Sequence, residues 1–319
     1  MTKTEPLKNS LISVIIAAYN AQDTLEKCIR SVCAQTHSEI EILIVDDKST
    51  DHTRKKAEKL KNEDNRIRLL EMPQNGGPGA ARNMALESAR GEWIAVVDSD
   101  DTIGPDRLEK MLSTASDHKV DIVFDNLVYH PLGNRENYNY LADDLPVFGA
   151  LPAQTYIRSG CLTDPLPNLG FLKPFIRREM IEAAKIRYDE NLRVGEDCML
   201  ILDLFAYGAK AWLLREPLYH YYKHKNSISS VFDKNRIQSI KNAVTTYRKK
   251  NEEKMNSETR AAVSEFESDL IRVLQAKELL EPLSIAALRR AASQAWSERE
   301  TRPHLLRELR HQVKRRIKG

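Results

Sequence analysis

Long hydrophobic runs are missing from this 319-residue chain. The apolar stretch nearest the start, Leu11–Ala18, is short, and no segment approaches the roughly twenty apolar residues that a membrane-spanning helix requires. The opening MTKTEPLKNS has neither the cationic start nor the small-residue cleavage site of a secretory leader. Cysteine is scarce. Cys28, Cys33, Cys161 and Cys198 are the only four, and no histidines cluster beside the closest pair, so neither a zinc centre nor a disulfide framework is indicated. Thiols at this density fit a reducing compartment, and a cytoplasmic location is expected. Charges of the two signs nearly balance, and the net charge of +3 gives little support to a nucleic-acid binder. No internal repeat and no low-complexity tract is present.

What the chain does have is alternation. Residues 11–18 (LISVIIAA), 41–45 (EILIV), 66–71 (RIRLLE), 93–97 (WIAVV) and 121–126 (DIVFDN) read as short buried strands. Helical patterns stand between them: Leu25, Cys28, Ile29 and Val32, capped by Asp23 or Thr24; then 52–62; then a helix opened by the glycine-rich Asn75–Ala80; then one after Pro105. Residues 130–170 read as loops, 198–207 as a helix and 211–214 as a strand. Strand–helix alternation with short links predicts a mostly parallel, Rossmann-like α/β sheet flanked by helices, and such sheets bind ligands beyond the carboxyl ends of their strands. Three of those ends carry Asn20, Asp46/Asp47 and Asp98/Asp100, which would converge on one crevice. From about 235 the glycines stop and Lys, Arg, Glu, Ala and Leu dominate, predicting a helical C-terminal extension.

The acidic segments suggest chemistry, each with a plain structural alternative. Asp98-Ser99-Asp100 follows a buried strand and can hold a hard divalent ion, or can be a solvated turn. Asp46-Asp47 can accept from a base or ribose, or can belong to a turn in which Asp51 caps the next helix. Backbone N–H groups at the glycine-rich turn attract phosphate, and Arg82 could add charge. Glu196-Asp197 opens a helix: either acid could deprotonate a hydroxyl, and both would also offset the helix dipole. His224 lies in a cationic loop with Lys223, Lys225 and Ser227, and could ligate metal or touch a diphosphate, or simply be a surface histidine.

Together S-V-I-I-A-A-Y-N at 13–20, V-D-D-K-S-T-D at 45–51, N-G-G-P-G-A-A-R-N at 75–83, D-S-D-D at 98–101 and G-E-D at 195–197 resemble, in order and spacing, the inverting family 2 glycosyltransferases of GT-A fold. The resemblance spans roughly residues 11–230. It implies transfer of a sugar from a nucleotide-diphosphate donor to an acceptor hydroxyl with inversion, in polysaccharide or glycolipid biosynthesis. Tyr19 and Asp47 are then nucleoside contacts, Asp98 a nucleotide and donor-sugar contact, and Arg82 a residue near the donor. Ala18, Asn20, Asp46, Gly77 and Ser99 complete the expected nucleotide-sugar site. Asp100 is the expected ligand of Mg2+ or Mn2+, joined by His224, while Asp197 is the catalytic base with Glu196 second. Lys223 and Ser227 are assigned to the diphosphate. Processive synthases of the family carry a Gln-x-x-Arg-Trp motif and membrane helices; both are missing, so one sugar per encounter is expected. Nucleotidyl transfer to a sugar phosphate is the alternative enzyme, disfavoured because Tyr19-Asn20-Ala21 stands where a triphosphate loop would be. A non-catalytic nucleotide-sugar-binding protein is the other alternative.

The expected organisation is a catalytic domain over residues 1–232, donor side about 11–130 and acceptor side about 131–232, followed by a helical region over 233–319. Between Leu288 and Gly319 ten cations face three carboxylates, and Leu305, Leu306, Leu309, Val313 and Ile317 form an apolar stripe. Such a helix suits peripheral contact with the inner face of the cytoplasmic membrane, where a lipid-linked saccharide acceptor would lie, or packing within the protein or an oligomer.

Overall fold

The computed structural model describes residues 10–161, 164–224 and 233–280. Its first half is the alternating pattern made solid. Ile12–Ala18 (β1), Ile40–Asp46 (β2), Ile67–Glu71 (β3) and Trp93–Val96 (β4) lie parallel in the order β3-β2-β1-β4. Every residue of β2 and β4 is buried, because helices cover both faces of a parallel sheet. The covering helices are Leu25–Cys33 (α1), Thr53–Glu63 (α2) and Pro78–Ser88 (α3). On α1 the buried side chains are Leu25, Cys28, Ile29 and Val32, the stripe expected from their spacing. Each fully buried Leu or Ile contributes roughly 1.5–3 kcal/mol. Thr24 occupies the cap position of α1 but makes no capping bond to the helix. Asp51 lies one residue before His52, the cap position of α2, and accepts from the Thr53 amide at 2.9 Å.

Beyond β4 come Thr102–Ile103 (β5), Arg107–His118 (α4), Ile122–His130 (β6), the two-residue strands Tyr138–Asn139 (β7) and Gly149–Ala150 (β8), helix Ala153–Arg158 (α5), strand Phe175–Arg177 (β9), helices Arg178–Ala183 (α6) and Glu196–Ala206 (α7), and strand Ala211–Tyr222 (β10). The sheet continues β4-β9-β6-β10-β5, with β7 on β6 and β8 on β10. Two features differ from the sequence expectation. The three-residue β9 is antiparallel to both β4 and β6, so it sits between strands that pattern alone would make neighbours. Trp93 of β4 and Phe175 of β9 stack at 4.9 Å and seal the join. Strand β10 runs to Tyr222 rather than stopping near 214. Its polar Arg215-Glu216-Pro217 lies at an irregularity in the register with β6, a place where a strand tolerates proline.

The described residues divide into two compact units. The first takes the chain up to Pro152 and again from Gly170 through β10, and contains the whole sheet. The second takes Ala153–Leu169, with α5, together with helices Lys234–Asn251 (α8) and Ser257–Leu280 (α9). The helical unit expected after residue 233 therefore also includes a short helix from within the loop-rich segment. Among the described residues no helix is long and apolar enough to cross a membrane. The basic stripe of 288–319 lies outside the described residues.

Candidate active site

The carboxyl ends of β1, β2 and β4 form the floor of the site. After β1, Asn20 adopts a left-handed backbone (φ 49°), and its amide oxygen accepts from the Thr50 N–H at 2.9 Å. Its own N–H donates to Ser49 Oγ at 3.1 Å, so Asn20 ties the turns after β1 and β2 together. Ala18 extends the same join, its carbonyl accepting from the Asp47 N–H. Tyr19 is left half exposed on this rim. Asp46 accepts from the Ser49 N–H at 3.2 Å through Oδ2, while its Oδ1 is buried without a hydrogen-bond partner among the described residues.

Asp47 is tied to the glycine-rich turn. Its two carboxylate oxygens accept from the Gly76 N–H at 2.7 Å, the Gly77 N–H at 2.8 Å and Asn75 Nδ2 at 3.0 Å. Burial pushes its carboxyl up even so. Asp47 therefore holds the glycine-rich turn in shape. Gly77 there has φ 88°, and a Cβ on it would overlap the guanidinium of Arg193, which lies against the turn.

Deeper in, charges from four separate segments close a ring. Arg82, on α3, donates to Asp98 at 2.7 Å and to Glu196 at 2.8 Å, and lies 3.2 Å from Asp197. Lys173, just before β9, reaches Asp98 at 2.8 Å and Asp197 at 3.0 Å. Two cations thus face three carboxylates, all in a largely water-excluded place. Burial opposes ionisation of Asp98, but Lys173 and then Arg82 outweigh it and hold the carboxyl at about 2. The same contest lowers Asp197, with Arg82 ahead of Lys173. Glu196 goes the other way: burial and then repulsion from Asp197 raise it. The Arg82 guanidinium is buried and paired with carboxylates, among them Asp98.

Asp98, Asp100 and Asp101 bring carboxylate oxygens within 4.8 Å of one another. They are not equivalent. Asp101 is buried, accepting from the Tyr219 hydroxyl at 2.8 Å and the Tyr222 N–H at 2.9 Å, which anchors β10 to the acidic turn. The Tyr219 hydroxyl in turn accepts from the Asp98 N–H at 3.1 Å. Asp100 keeps a side chain 44% exposed, with His224 Nε2 at 3.7 Å from it. Burial, then the charge of Asp98, raises the Asp100 carboxyl, a strain that a bound cation would relieve. Ser99 is half buried on the same turn. The set therefore fits a hard divalent ion, with Asp100 the open oxygen ligand and His224 beside it.

The sequence-expected residues thus fall into groups. Arg82, Asp98, Glu196 and Asp197 meet directly, Asp100 meets His224, and Asp47 meets Gly77. Lys223 lines an aromatic hollow on β6 and β10. Ser227 lies outside the described residues. Sequence reasoning missed Lys173, Arg193, Asp101 and Tyr219. The signal for Lys173 was there: a lone lysine between Phe171-Leu172 and Pro174-Phe175-Ile176 is a charge inside an apolar run, and such a charge is buried only with partners.

Residues 13–182, more than half of the chain, match the family model described as glycosyl transferase family 2. The succinoglycan biosynthesis protein ExoO of Rhizobium meliloti (strain 1021) is 35% identical over 229 residues, 72% of this chain. The matched part spans 65% of ExoO, just under two thirds of its length. TuaG of Bacillus subtilis (strain 168), named as a teichuronic acid biosynthesis glycosyltransferase, is 34% identical over 235 residues, 72% of this chain and 84% of that protein. Among solved structures, residues 1–349 of S. aureus TarS in complex with UDP-GlcNAc align with a TM-score of 0.64 at 21% identity, over 82% of this chain and 71% of that one. The mannosyltransferase PcManGT of Pyrobaculum calidifontis, in complex with GDP-Man and Mn2+, aligns at 0.60 and 16% over 95% and 86%. At these identities the likeness to the solved structures is one of fold, the mostly parallel GT-A sheet flanked by helices. On the family match, and on relatives such as TuaG, the chain belongs to glycosyl transferase family 2.

Proposed function

We propose that this chain transfers a sugar from a nucleotide-diphosphate donor to an acceptor hydroxyl with inversion, in the assembly of a surface polysaccharide or glycolipid. One observation carries the reading: acids from two segments far apart in the chain, Asp98 and Asp100 after β4 and Asp197 at the start of α7, gather around one floor with Asp100 partly open to solvent. The names of ExoO and TuaG support polysaccharide assembly. The nucleotide-sugars held by TarS and PcManGT support the donor class and leave the base open.

In this reading Tyr19, Ala18, Asn20 and Asp46 face the nucleoside. The buried, unsatisfied Asp46 Oδ1 is the acceptor that suits a base or ribose N–H or O–H. Asp47 and Gly77 shape the turn beneath it. Asp98 and Ser99 lie at the donor sugar. Asp100, with His224 beside it, would hold Mg2+ or Mn2+, which would supply positive charge to offset that of the leaving diphosphate. Asp197 accepts the proton of the acceptor hydroxyl while that oxygen bonds to the anomeric carbon from the face opposite the nucleotide. Arg82 and Lys173 keep Asp197 ionised, so the base is ready at neutral pH at some cost in basicity.

The test is single-turnover transfer with nucleotide-sugars and Mn2+ or Mg2+, followed by NMR of the anomeric configuration. Asp100→Asn and Asp197→Asn should each lower the rate by roughly 10²–10⁴-fold. Unchanged rates in both variants, or retention of configuration, would reject the assignment.

A further inference from the structure

The sheet face that carries Tyr219 continues outward into a feature that the donor reading does not use. On β10, Tyr219 and Tyr221 alternate onto one face, with Lys223 one residue past the strand's end, and their partners on β6 in parallel register are Leu127 beside Tyr219 and Tyr129 beside Tyr221. Leu127, Tyr129, Tyr221 and Lys223, with Tyr140 and Phe171, line a hollow of about 80 Å³. The rings are ordered: Tyr129 stacks on Tyr221 at 5.3 Å, and Phe171 stands edge-on to Tyr221 at 6.3 Å and to Tyr140 at 5.9 Å. They are not core. Phe171 is 36% exposed, and Tyr129, Tyr140 and Tyr221 are each partly open. Partly open rings grouped in this way offer faces on which a ring-shaped ligand can stack.

Its position is tied to the reacting groups from two sides. Tyr221 stands two residues, about 7 Å of strand, beyond Tyr219, whose hydroxyl bonds Asp101. Phe171 stands two residues before Lys173, whose ammonium bonds Asp197. At the lip, Lys223 is half buried, and among the described residues its ammonium has no carboxylate partner.

We propose that this hollow is an acceptor subsite that takes a pyranose ring bearing an anionic group. The electron-rich ring faces meet the C–H face of the sugar, and the Lys223 ammonium pairs with its carboxylate. The hollow is far smaller than a pocket that encloses a whole ligand and is open on one side, so it can receive one face of a ring and not a nucleotide-sugar. Lys223 is thereby assigned to the acceptor rather than to the donor diphosphate. The inference rests on the glycosyl-transfer reading above, and the two fail by different measurements.

The probes are methyl β-D-glucuronide and methyl β-D-glucoside, offered to the full-length protein with UDP or GDP and Mn2+ present, and followed by saturation-transfer NMR. The wild-type protein should saturate the ring protons of the glucuronide and bind it at least tenfold more tightly than the glucoside. Tyr140→Ala and Phe171→Ala should abolish saturation of both. Lys223→Met should keep ring saturation while equalising the two affinities. Thermal shifts with UDP or GDP and Mn2+ should match wild type in all three variants, which also establishes that they fold. Saturation that survives both aromatic variants, or a wild type that saturates neither glycoside while still binding nucleotide, overturns the subsite and leaves the donor reading standing. Glycoside binding with no response to any nucleotide keeps the subsite and rejects the donor reading.

Discussion

Lys173 places an ammonium between Asp98 and Asp197, where neither carboxylate can find enough water to stay ionised unaided. Removing it should show in the proton affinity of the base before anything else. In Lys173→Met the Asp197 carboxyl rises, so the acid limb of kcat/KM should move to higher pH, with roughly a 10²-fold loss at neutral pH. Lys173→Arg should bring the limb most of the way back. A pH–rate profile from 4 to 8 checks both, and a limb that stays in place would show that Lys173 does not tune the base. Stability carries a second signature at Asp98. Its folded value of about 2 lies below the roughly 3.9 of a free aspartate, so its contribution is complete above about pH 4 and fades as pH falls toward 2. In urea melts between pH 2 and 5, Asp98→Asn should lose that part of the acid sensitivity.

At the scale of elements, the site depends on how the middle strands are held. Arg107 at the start of α4 makes two bonds to Asp125 of β6, at 3.0 and 2.9 Å, with both side chains fully buried. It also donates to the Lys173 carbonyl at 2.9 Å, so a core ion pair fixes the backbone of a site residue. Breaking one half leaves a buried charge alone. Arg107→Met should cost about 3–5 kcal/mol in urea denaturation, and Arg107→Met with Asp125→Leu less than the sum of the single changes. The glycine-rich turn gives a cleaner contrast. Gly77 and Gly133 both have positive φ, 88° and 80°, but only at Gly77 would a Cβ strike a neighbour, Arg193. Gly133→Ala should cost about 1 kcal/mol from backbone strain. Gly77→Ala should cost more, and Arg193→Ala in the same chain should recover part of the excess, as read by melting temperature.

These elements also mark where the sequence was informative. Strands β1 to β4 could be read as short apolar runs bounded by polar or turn residues, and the helices between them from apolar spacing or, for α3, from the glycine-rich turn that opens it. Strand β9 could not: three residues hold no period, and its place between β4 and β6 depends on long-range pairing. The same division runs through the site. Asp98, Asp100 and Asp197 stand at element ends, where a carboxylate is conspicuous. Asp47 was equally conspicuous, yet its bonds to Gly76 and Gly77 depend on how the turn folds back. Arg82 was noticed for its charge, and only its distances to Asp98 and Glu196 show which groups use it.

For the molecule as a whole, charge is balanced in bulk but not along its length. The net +3 of the full chain is exceeded by the local excess of cations over 288–319. An acceptor carried on a lipid would reward contact with an anionic surface, where each nearby Lys or Arg contributes about 1 kcal/mol within a Debye length. The full-length protein should therefore float with phosphatidylglycerol-containing vesicles at low salt and release by about 0.5 M NaCl, where the screening length falls below roughly 5 Å. Replacing Arg310, Arg315 and Arg316 with Gln should weaken flotation without altering the thermal shift given by nucleotide and Mn2+, since the donor residues all lie before His224. Leu305→Ser and Leu309→Ser test the other component. If the apolar stripe enters the interface, those changes weaken flotation even at low salt. If it packs within the protein, they lower the melting temperature and leave flotation as it was.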